Sequence, residues 1–224
     1  MLTCRRLLFL VIVFVGMAML SSPATASPNL VLNGNFTSGT TNGLTGWNNA
    51  GATYAYATGW TYNVPSTGPW NWAVYAAGSP PAVALPASPG GGYAQSFSSE
   101  NGFDTVSQSV ATLVGAKYLV SFNYYVWNYN TSTDPVALYA SLGGDTGFSL
   151  TTSQTPVFDT WLPVSFAVTA SSASSLLTFT GEAYWMFASN VSVTQASALP
   201  EPGQALLLIP ACLLALVGNL RPSD

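Results

Sequence analysis

The chain has 224 residues, of which 5% are charged and 13% aromatic, and it contains no histidine. Without histidine there are no Ser-His or Cys-His nucleophile pairs and no histidine-ligated zinc, and the frequent aromatic residues exclude a disordered chain. Between Ser27 and Ser197 a single base, Lys117, stands against six acids, so this part cannot neutralise phosphates and nucleic acid is excluded as a partner.

Residues 1–26 have the pattern of a secretory signal peptide. Arg5-Arg6 precedes an apolar run from Leu7 to Leu20, and Ala24-Thr25-Ala26 follows. A basic start, a short apolar segment and an A-x-A exit are typical of a cleaved signal, and fourteen apolar residues are few for a membrane span. We predict cleavage at the Ala24 and Ala26 site, so that the mature chain begins at Ser27.

Residues 27–197 are predicted to form one all-β domain. Short apolar runs alternate with Gly and Asn turn signals such as Gly143-Gly144-Asp145, and no helical period is visible. One face of the run from Ala116 to Trp127 is predicted to carry Tyr118, Val120, Phe122, Tyr124 and Val126. Further strands are expected at Val106–Val110, Trp161–Val168, Leu176–Thr180 and Tyr184–Val193. Many short strands of this kind indicate an antiparallel sandwich or barrel.

The carboxylates of the middle segment, with several tyrosines, are its only candidates for acid/base chemistry. A glycosidase needs two carboxylates facing one cleft at roughly 5–10 Å. Asp134, Asp145 and Asp159 all stand in turn-like contexts, where aspartate commonly caps local backbone. We therefore assign no catalytic residue, and a carboxylate-only glycoside hydrolase or lyase is kept as an alternative.

Four tryptophans are candidates for stacking on sugar rings: Trp60, Trp70, Trp72 and Trp127. An exposed aromatic face packs against the C–H face of a pyranose, while neighbouring amides and hydroxyls bond its hydroxyl groups. The competing interpretation places the same side chains in the core, where a tryptophan buries much apolar surface.

The C-terminal region, residues 198–224, reads as a sorting tail. Pro200-Glu201-Pro202 is followed by an apolar run from Ala205 to Gly218 and by Arg221. We predict a hydrophobic helix at about 203–220, in which Pro210 introduces a kink. The apolar run would be about 21 Å long, short of the roughly 30 Å of a hydrocarbon core.

Pro200, Glu201, Pro202 and Arg221 in this arrangement resemble the PEP-CTERM sorting signal of exopolysaccharide-producing Gram-negative bacteria. The resemblance implies recognition by an exosortase-like transpeptidase and removal of the tail. The family usually ends in several arginines, whereas this chain has one. The alternative is a plain C-terminal anchor in the inner membrane.

The domain itself resembles the galactose-binding-like jelly rolls found in carbohydrate-binding modules. Asn33-Gly34-Asn35-Phe36 opens it, and Ser189-Asn190-Val191 closes it. The resemblance implies a jelly-roll β-sandwich and a structural calcium held by carboxylates next to these motifs. This chain has Thr37 and Ser189 at those positions, so we assign no metal ligand.

The prediction is therefore an exported, non-catalytic cell-envelope or extracellular-matrix protein that associates with exopolysaccharide and needs no cofactor. It would be anchored in the inner membrane through its C-terminus, then reach the cell surface or exterior after processing. A carbohydrate-binding module with a defined sugar site is the first alternative, and the hydrolase or lyase is the second.

Overall fold

A computed structural model describes residues 27–41, 52–63, 73–76, 85–91, 93–97, 103–127, 137–151, 156–182 and 186–196. One compact unit spans Pro28–Ala196. The predicted signal peptide, sorting motif and tail helix lie outside the described residues. None of the described residues forms a helix long and apolar enough to cross a membrane.

The regular elements of the described residues are strands. In chain order they are β1 Gly39–Thr40, β2 Ala52–Tyr54, β3 Tyr56–Ala57, β4 Thr61–Asn63, β5 Val74–Ala76, β6 Tyr93–Phe97, β7 Asp104–Ala111, β8 Lys117–Val126, β9 Ala137–Leu142, β10 Asp145–Thr151, β11 Leu162–Thr169, β12 Ser174–Glu182 and β13 Met186–Gln195. One sheet has the order β10-β9-β12-β7-β4, a second has the order β11-β8-β13-β6-β5-β2, and β1 pairs with β3. The pairings are antiparallel throughout. The predicted antiparallel sandwich is confirmed.

The two large sheets pack face to face around one aromatic core. The ring centroid of Phe179 on β12 lies 5.0 Å from that of Phe122 on β8. It also lies 6.1 Å from Trp60 and 6.4 Å from Phe97. Aromatic pairs at such separations contribute beyond the area they bury, so Phe179 joins the two sheets near their centre.

The alternation predicted for the long strand is confirmed by β8. Its five predicted inward residues are all buried, whereas Leu119, which breaks the pattern, is 41% exposed. The opposite face of the six-stranded sheet carries a second, smaller cluster. That cluster comprises Ala73, Tyr75, Leu85, Ala94, Tyr125, Trp127 and Phe187. One face of this sheet therefore packs against the five-stranded sheet, and the second cluster buries part of its other face.

The opening segment runs beside β13 without becoming a strand. Leu30 donates its backbone N–H to Val193, and Val191 donates to Gly34. A Cβ on Gly34 would collide with the carbonyl oxygen of Val191, so only glycine allows this approach. The Asn29 carboxamide oxygen accepts the N–H groups of Val31 and Val193. Isolated backbone hydrogen bonds and the Asn29 side chain replace a regular ladder here.

Candidate functional site

The outward side of the five-stranded sheet is built by alternation. Val106 and Val110 of β7 and Leu177 and Phe179 of β12 are buried in the core. Because successive side chains of a strand point to opposite faces, the residues between them point outward. These outward positions hold serine and threonine almost throughout.

Strand pairing brings these hydroxyl side chains into two rows across the sheet. The first row, from β4 to β10, is Thr61, Ser107, Thr178, Ser141 and Thr146. The second row is Asn63, Thr105, Thr180, Tyr139 and Ser149. We call these ten residues, of which nine carry a hydroxyl and Asn63 carries a carboxamide, the hydroxyl face. None of them is charged, and each is exposed or half-buried.

The spacing of the hydroxyl face follows from sheet geometry. Neighbouring strands lie about 4.8 Å apart, and residues two apart along a strand lie about 6.8 Å apart. The Thr105 and Thr180 hydroxyl oxygens, on adjacent strands, are 3.4 Å apart. A hydroxyl both donates and accepts a hydrogen bond, so the face offers donors and acceptors at regular intervals in two directions.

An aromatic pair lies at one border of the hydroxyl face. Phe103 precedes β7 and is 41% exposed. Its ring centroid is 6.0 Å from that of Tyr139, with the ring planes tilted by 57°. The pair adds an apolar surface next to the hydroxyl rows. This combination can accept a ligand that has both hydroxyl groups and C–H faces.

Two of the four candidate tryptophans are buried. Trp60 is 7% exposed and packs between Phe36 and Phe179, and Trp127 is 9% exposed within the second cluster. The expectation of exposed stacking rings is thereby corrected for Trp60 and Trp127, because their area is already used for packing. Trp70 and Trp72 lie outside the described residues.

The described carboxylate side chains do not share one surface. Asp104 lies on the inward side of β7 and is 1% exposed. Asp145 is exposed at the start of β10, and Asp159 is exposed in the turn before β11, at the opposite end of the sandwich. Asp159 accepts the Tyr125 hydroxyl at 3.1 Å and donates its N–H to Val126. Asp134 and the side chain of Glu182 lie outside the described part of the chain.

The calcium site implied by the resemblance does not fit the residues present. The Ser189 hydroxyl donates to the carbonyl oxygen of Tyr93 at 2.6 Å, so it already has a protein partner. The Thr37 hydroxyl lies 3.5 Å from the Asn33 carboxamide oxygen. Calcium prefers oxygen ligands that include carboxylates. Within the described ranges no three Asp, Glu, His or Cys side chains are grouped to hold a metal.

No protein-family model and no curated protein sequence matches the chain. Among solved structures, a Stig cyclase from Fischerella sp. TAU in complex with an indole derivative is 14% identical, with a TM-score of 0.52, over 78% of this chain and 100% of its own. The CBM22-1 xylan-binding domain of Xyn10C from Paenibacillus barcinonensis is 15% identical, with a TM-score of 0.48, over 79% and 99%. TmCBM61 in complex with β-1,4-galactotriose is 16% identical, with a TM-score of 0.45, over 76% and 100%. At these identities the likeness concerns the jelly-roll fold alone.

Sequence reasoning missed the hydroxyl face. Its signal was present in the outward positions of β7, which read Thr105, Ser107 and Ser109, and in Thr178 and Thr180 of β12. The predicted order of strands along the chain does not say that these two strands are neighbours, and the pairing of Thr178 with Ser107 is a tertiary property.

Proposed function

We propose that the sandwich is a non-catalytic module that binds a neutral polysaccharide on its hydroxyl face. The observation that carries the proposal is the pair of in-register rows of uncharged hydroxyl side chains next to Phe103 and Tyr139. Sugar hydroxyls exchange hydrogen bonds with Ser and Thr, and sugar C–H groups pack on aromatic rings. The face offers both kinds of contact.

Charge favours a neutral ligand over an anionic one. The hydroxyl face has no charged member, and residues 27–197 carry an excess of five acids over Lys117. An anionic polymer would meet a repulsive field with no cation on the face to offset it. A neutral polymer meets no such cost.

A binding role also agrees with the positions of the three carboxylate side chains that the structure describes. A carboxylate-only hydrolase needs two such groups in one groove, whereas Asp145 and Asp159 lie at opposite ends of the sandwich and Asp104 lies within the core. The hydroxyl groups of the face bind without acting as acids or bases near neutral pH.

We further propose that the protein is exported, held in the inner membrane by its tail and released by an exosortase-like transpeptidase to associate with exopolysaccharide. The signal peptide pattern and the Pro200-Glu201-Pro202 tail support this location. Mass spectrometry of the protein from its native host tests it. A chain that starts near Ser27 and ends near Pro202 is expected, and a chain that still carries Arg221 would contradict the sorting step.

Loss of two hydroxyls from the centre of the face should weaken binding. Thr178→Val with Ser107→Ala keeps the strand shape but removes two hydrogen-bonding groups, so we expect roughly 5- to 100-fold weaker binding. Tyr139→Ala removes the ring and should cost about tenfold or more. Isothermal titration calorimetry with soluble neutral polysaccharides (a xylan, a galactan and a glucan) measures the affinity, and alginate serves as an anionic comparison.

The matched control is Thr169→Val with Ser165→Ala, on exposed positions of β11 in the other sheet. This control should bind like the parent protein. Affinity should also stay the same between about 0.05 and 0.5 M salt, because screening acts on charged contacts. Equal losses in both double variants, or preferred binding of alginate, would contradict the proposed site.

A further inference from the structure

The described chain begins and ends at the same end of the sandwich. Leu30, three residues after the first described residue, donates its N–H to Val193 near the end of β13. Ala196, the last described residue, donates its N–H to Lys117 at the start of β8. Any segment that precedes Ser27 or follows Ala196 is therefore attached next to the β7–β8 turn.

That turn presents two apolar side chains to solvent. Leu113 is 62% exposed and Val114 is 69% exposed; we call these two residues the apolar tip. The turn is held in place, because Leu113 donates its N–H to the Tyr118 hydroxyl at 2.8 Å and Gly115 donates to Ala170. Contiguous exposed apolar side chains mark sites of contact with a membrane or another molecule, and those of the tip are held exposed by an ordered turn.

The surroundings of the apolar tip add more apolar surface and the sole base of the domain. Leu119 and Leu176, at the same end of the strands, are 41% and 50% exposed. Lys117 follows the tip by three residues and is exposed. Asp145 is the described acid at this end, and it lies on the edge strand of the five-stranded sheet. Leu119 and Leu176 lie on the outer faces of different sheets, so apolar side chains flank the tip on both sides. Together with the long cationic side chain of Lys117, they suit the boundary of a lipid bilayer.

The covalent length of the chain limits how far this end can be from a membrane. Eight residues separate Ala196 from Ala205, where the apolar tail run begins. Even fully extended, this connection spans at most roughly 30 Å. The apolar run itself is about 21 Å as a helix, shorter than a hydrocarbon core, so it is a weak anchor that gains from a second contact.

We propose that the apolar tip rests on the bilayer that takes up the tail. The inference rests on the proposed anchoring of the tail in the membrane, which we call the tether. It adds the orientation of the sandwich on the bilayer. Leu113 and Val114 enter the headgroup boundary, Lys117 reaches anionic lipid headgroups, and the turn before β11 points away from the membrane. The sheet faces then stand roughly upright on the bilayer, and the hydroxyl face stays free for its ligand.

Environment-sensitive probes on the full chain test this orientation. Cys4→Ser and Cys212→Ser remove the native thiols. A single cysteine then replaces Val114 or, at the far end, the exposed Thr160. Each labelled protein is reconstituted into phosphatidylcholine–phosphatidylglycerol vesicles and isolated by flotation. The Val114 probe should shift to shorter emission wavelength and be quenched by doxyl-labelled lipid, whereas the Thr160 probe should emit as it does in buffer.

The outcomes distinguish the membrane contact of the apolar tip from the anchoring of the tail. Protein that floats with the vesicles but whose Val114 probe emits as in water overturns the tip contact and leaves the tether standing. Probes that shift equally at Val114 and Thr160 also overturn it. Protein that does not float overturns the tether and the tip contact together.

A second pair of variants keeps the test independent of the labelled position. The probe is placed at exposed Ala173, whose carbonyl accepts the N–H of Thr112 beside the tip. Leu113→Ser with Val114→Ser should abolish its wavelength shift. Val157→Ser with Phe158→Ser, which removes exposed apolar side chains at the far end, should preserve the shift. Loss of the shift in both pairs would overturn the proposal.

Discussion

The buried carboxamide of Gln108 joins two separate segments of this chain through hydrogen bonds. It lies on the inward side of β7 and is 5% exposed. Its carboxamide oxygen accepts the Leu32 N–H at 2.7 Å, and its nitrogen donates to the carbonyl oxygens of Leu32 and Gly59 at 3.0 and 2.9 Å. Two segments that lie outside the strands are thereby fixed against the five-stranded sheet.

Replacing Gln108 should therefore destabilise the sandwich strongly. Gln108→Ala removes three hydrogen bonds and leaves backbone groups of Leu32 and Gly59 without their partner, so we expect a loss of about 2–4 kcal/mol in the free energy of unfolding. Chemical denaturation measures the loss. Ser109→Ala, at the next and exposed position, is the control and should cost less than about 1 kcal/mol. Equal effects at both positions would show that the amide does not fasten these segments.

Buried tyrosine hydroxyls make the stability depend on alkaline pH. Burial, with the hydrogen bond to Asp159 and the charge of Asp159, raises the pKa of Tyr125 to about 12. Burial also raises the pKa of Tyr62 and of Tyr75 well above the usual value. In the unfolded chain a tyrosine releases its proton near pH 10. The folded state therefore holds more protons than the unfolded state above that pH.

The sign of the pH effect follows from this difference. The stabilisation is complete below about pH 10 and is lost as the pH rises from about 10 towards 12. Urea midpoints measured at intervals from about pH 8 to pH 12 should fall in that window, and Tyr125→Phe should fall less steeply. The two proteins should differ by a constant amount below about pH 9. Parallel curves up to pH 12 would contradict the raised pKa of Tyr125.

At the scale of the elements, β10 and β11 pack against each other along one side of the sandwich. They are edge strands of different sheets, and Gly147 of β10 faces the ring of Phe166 of β11 so closely that a Cβ would collide with it. Gly147→Ala should cost about 1–3 kcal/mol through overpacking. Ser149→Ala, which lies on the outward side of the same strand, should change stability far less. The comparison is made by thermal unfolding of both variants.

The longer strands could be predicted from sequence because their alternation has high contrast. β8 places large aromatic and aliphatic residues against Lys117, Ser121 and Asn123, and β11 and the middle of β12 alternate in the same way. The hairpin of β9 and β10 was not predicted as strands, because Ala137 and Ala140 in β9 and Gly147 in β10 blur the difference between faces. Strands of two or three residues depend on their partners rather than on local pattern.

The site could be predicted only in part, for a related reason. The density of aromatic residues in the sequence singled out Trp60 and Trp127 as candidates. Whether such a side chain is buried depends on the sheet and segments that pack against it, and both of these side chains are buried. Tyr139 gave no local sign of lying among hydroxyl rows, since those rows require the strand order β7-β12-β9. A surface made of side chains from five strands, such as the hydroxyl face, is a product of topology.

At the scale of the whole molecule, hydroxyl groups take the place that charges have in most soluble proteins. Only 5% of the residues are charged, and cross-strand pairs such as Ser109 with Ser174 and Ser121 with Ser192 bond at 2.7 Å on the outer faces. Such pairs support the sheets through hydrogen bonds. This surface stays polar at any salt concentration, which suits contact with a hydrated neutral polymer.

The same composition predicts how the isolated sandwich unfolds. Residues 27–196 contain no cysteine, and their main core draws side chains from both large sheets. If the two sheets separated, the core side chains of both would be exposed to water. We therefore expect a single cooperative unfolding transition. Disulfide reductants should leave its midpoint unchanged.

Chelators should leave that midpoint unchanged as well, because hydrogen bonds already hold the segment at which the resemblance to galactose-binding-like jelly rolls implies calcium. Ser189 bonds to the Tyr93 carbonyl, and Asn29 bonds to β13. Thermal unfolding of the 27–196 fragment with EDTA and with millimolar calcium is the measurement, since an ion that binds the folded state alone would raise the midpoint with its concentration. Coinciding curves are expected. A calcium-dependent rise would mean that carbonyl and amide oxygens beside Ser189 bind the ion without the carboxylates that the resemblance implies. The opening segment would then be held to β13 by more than its hydrogen bonds.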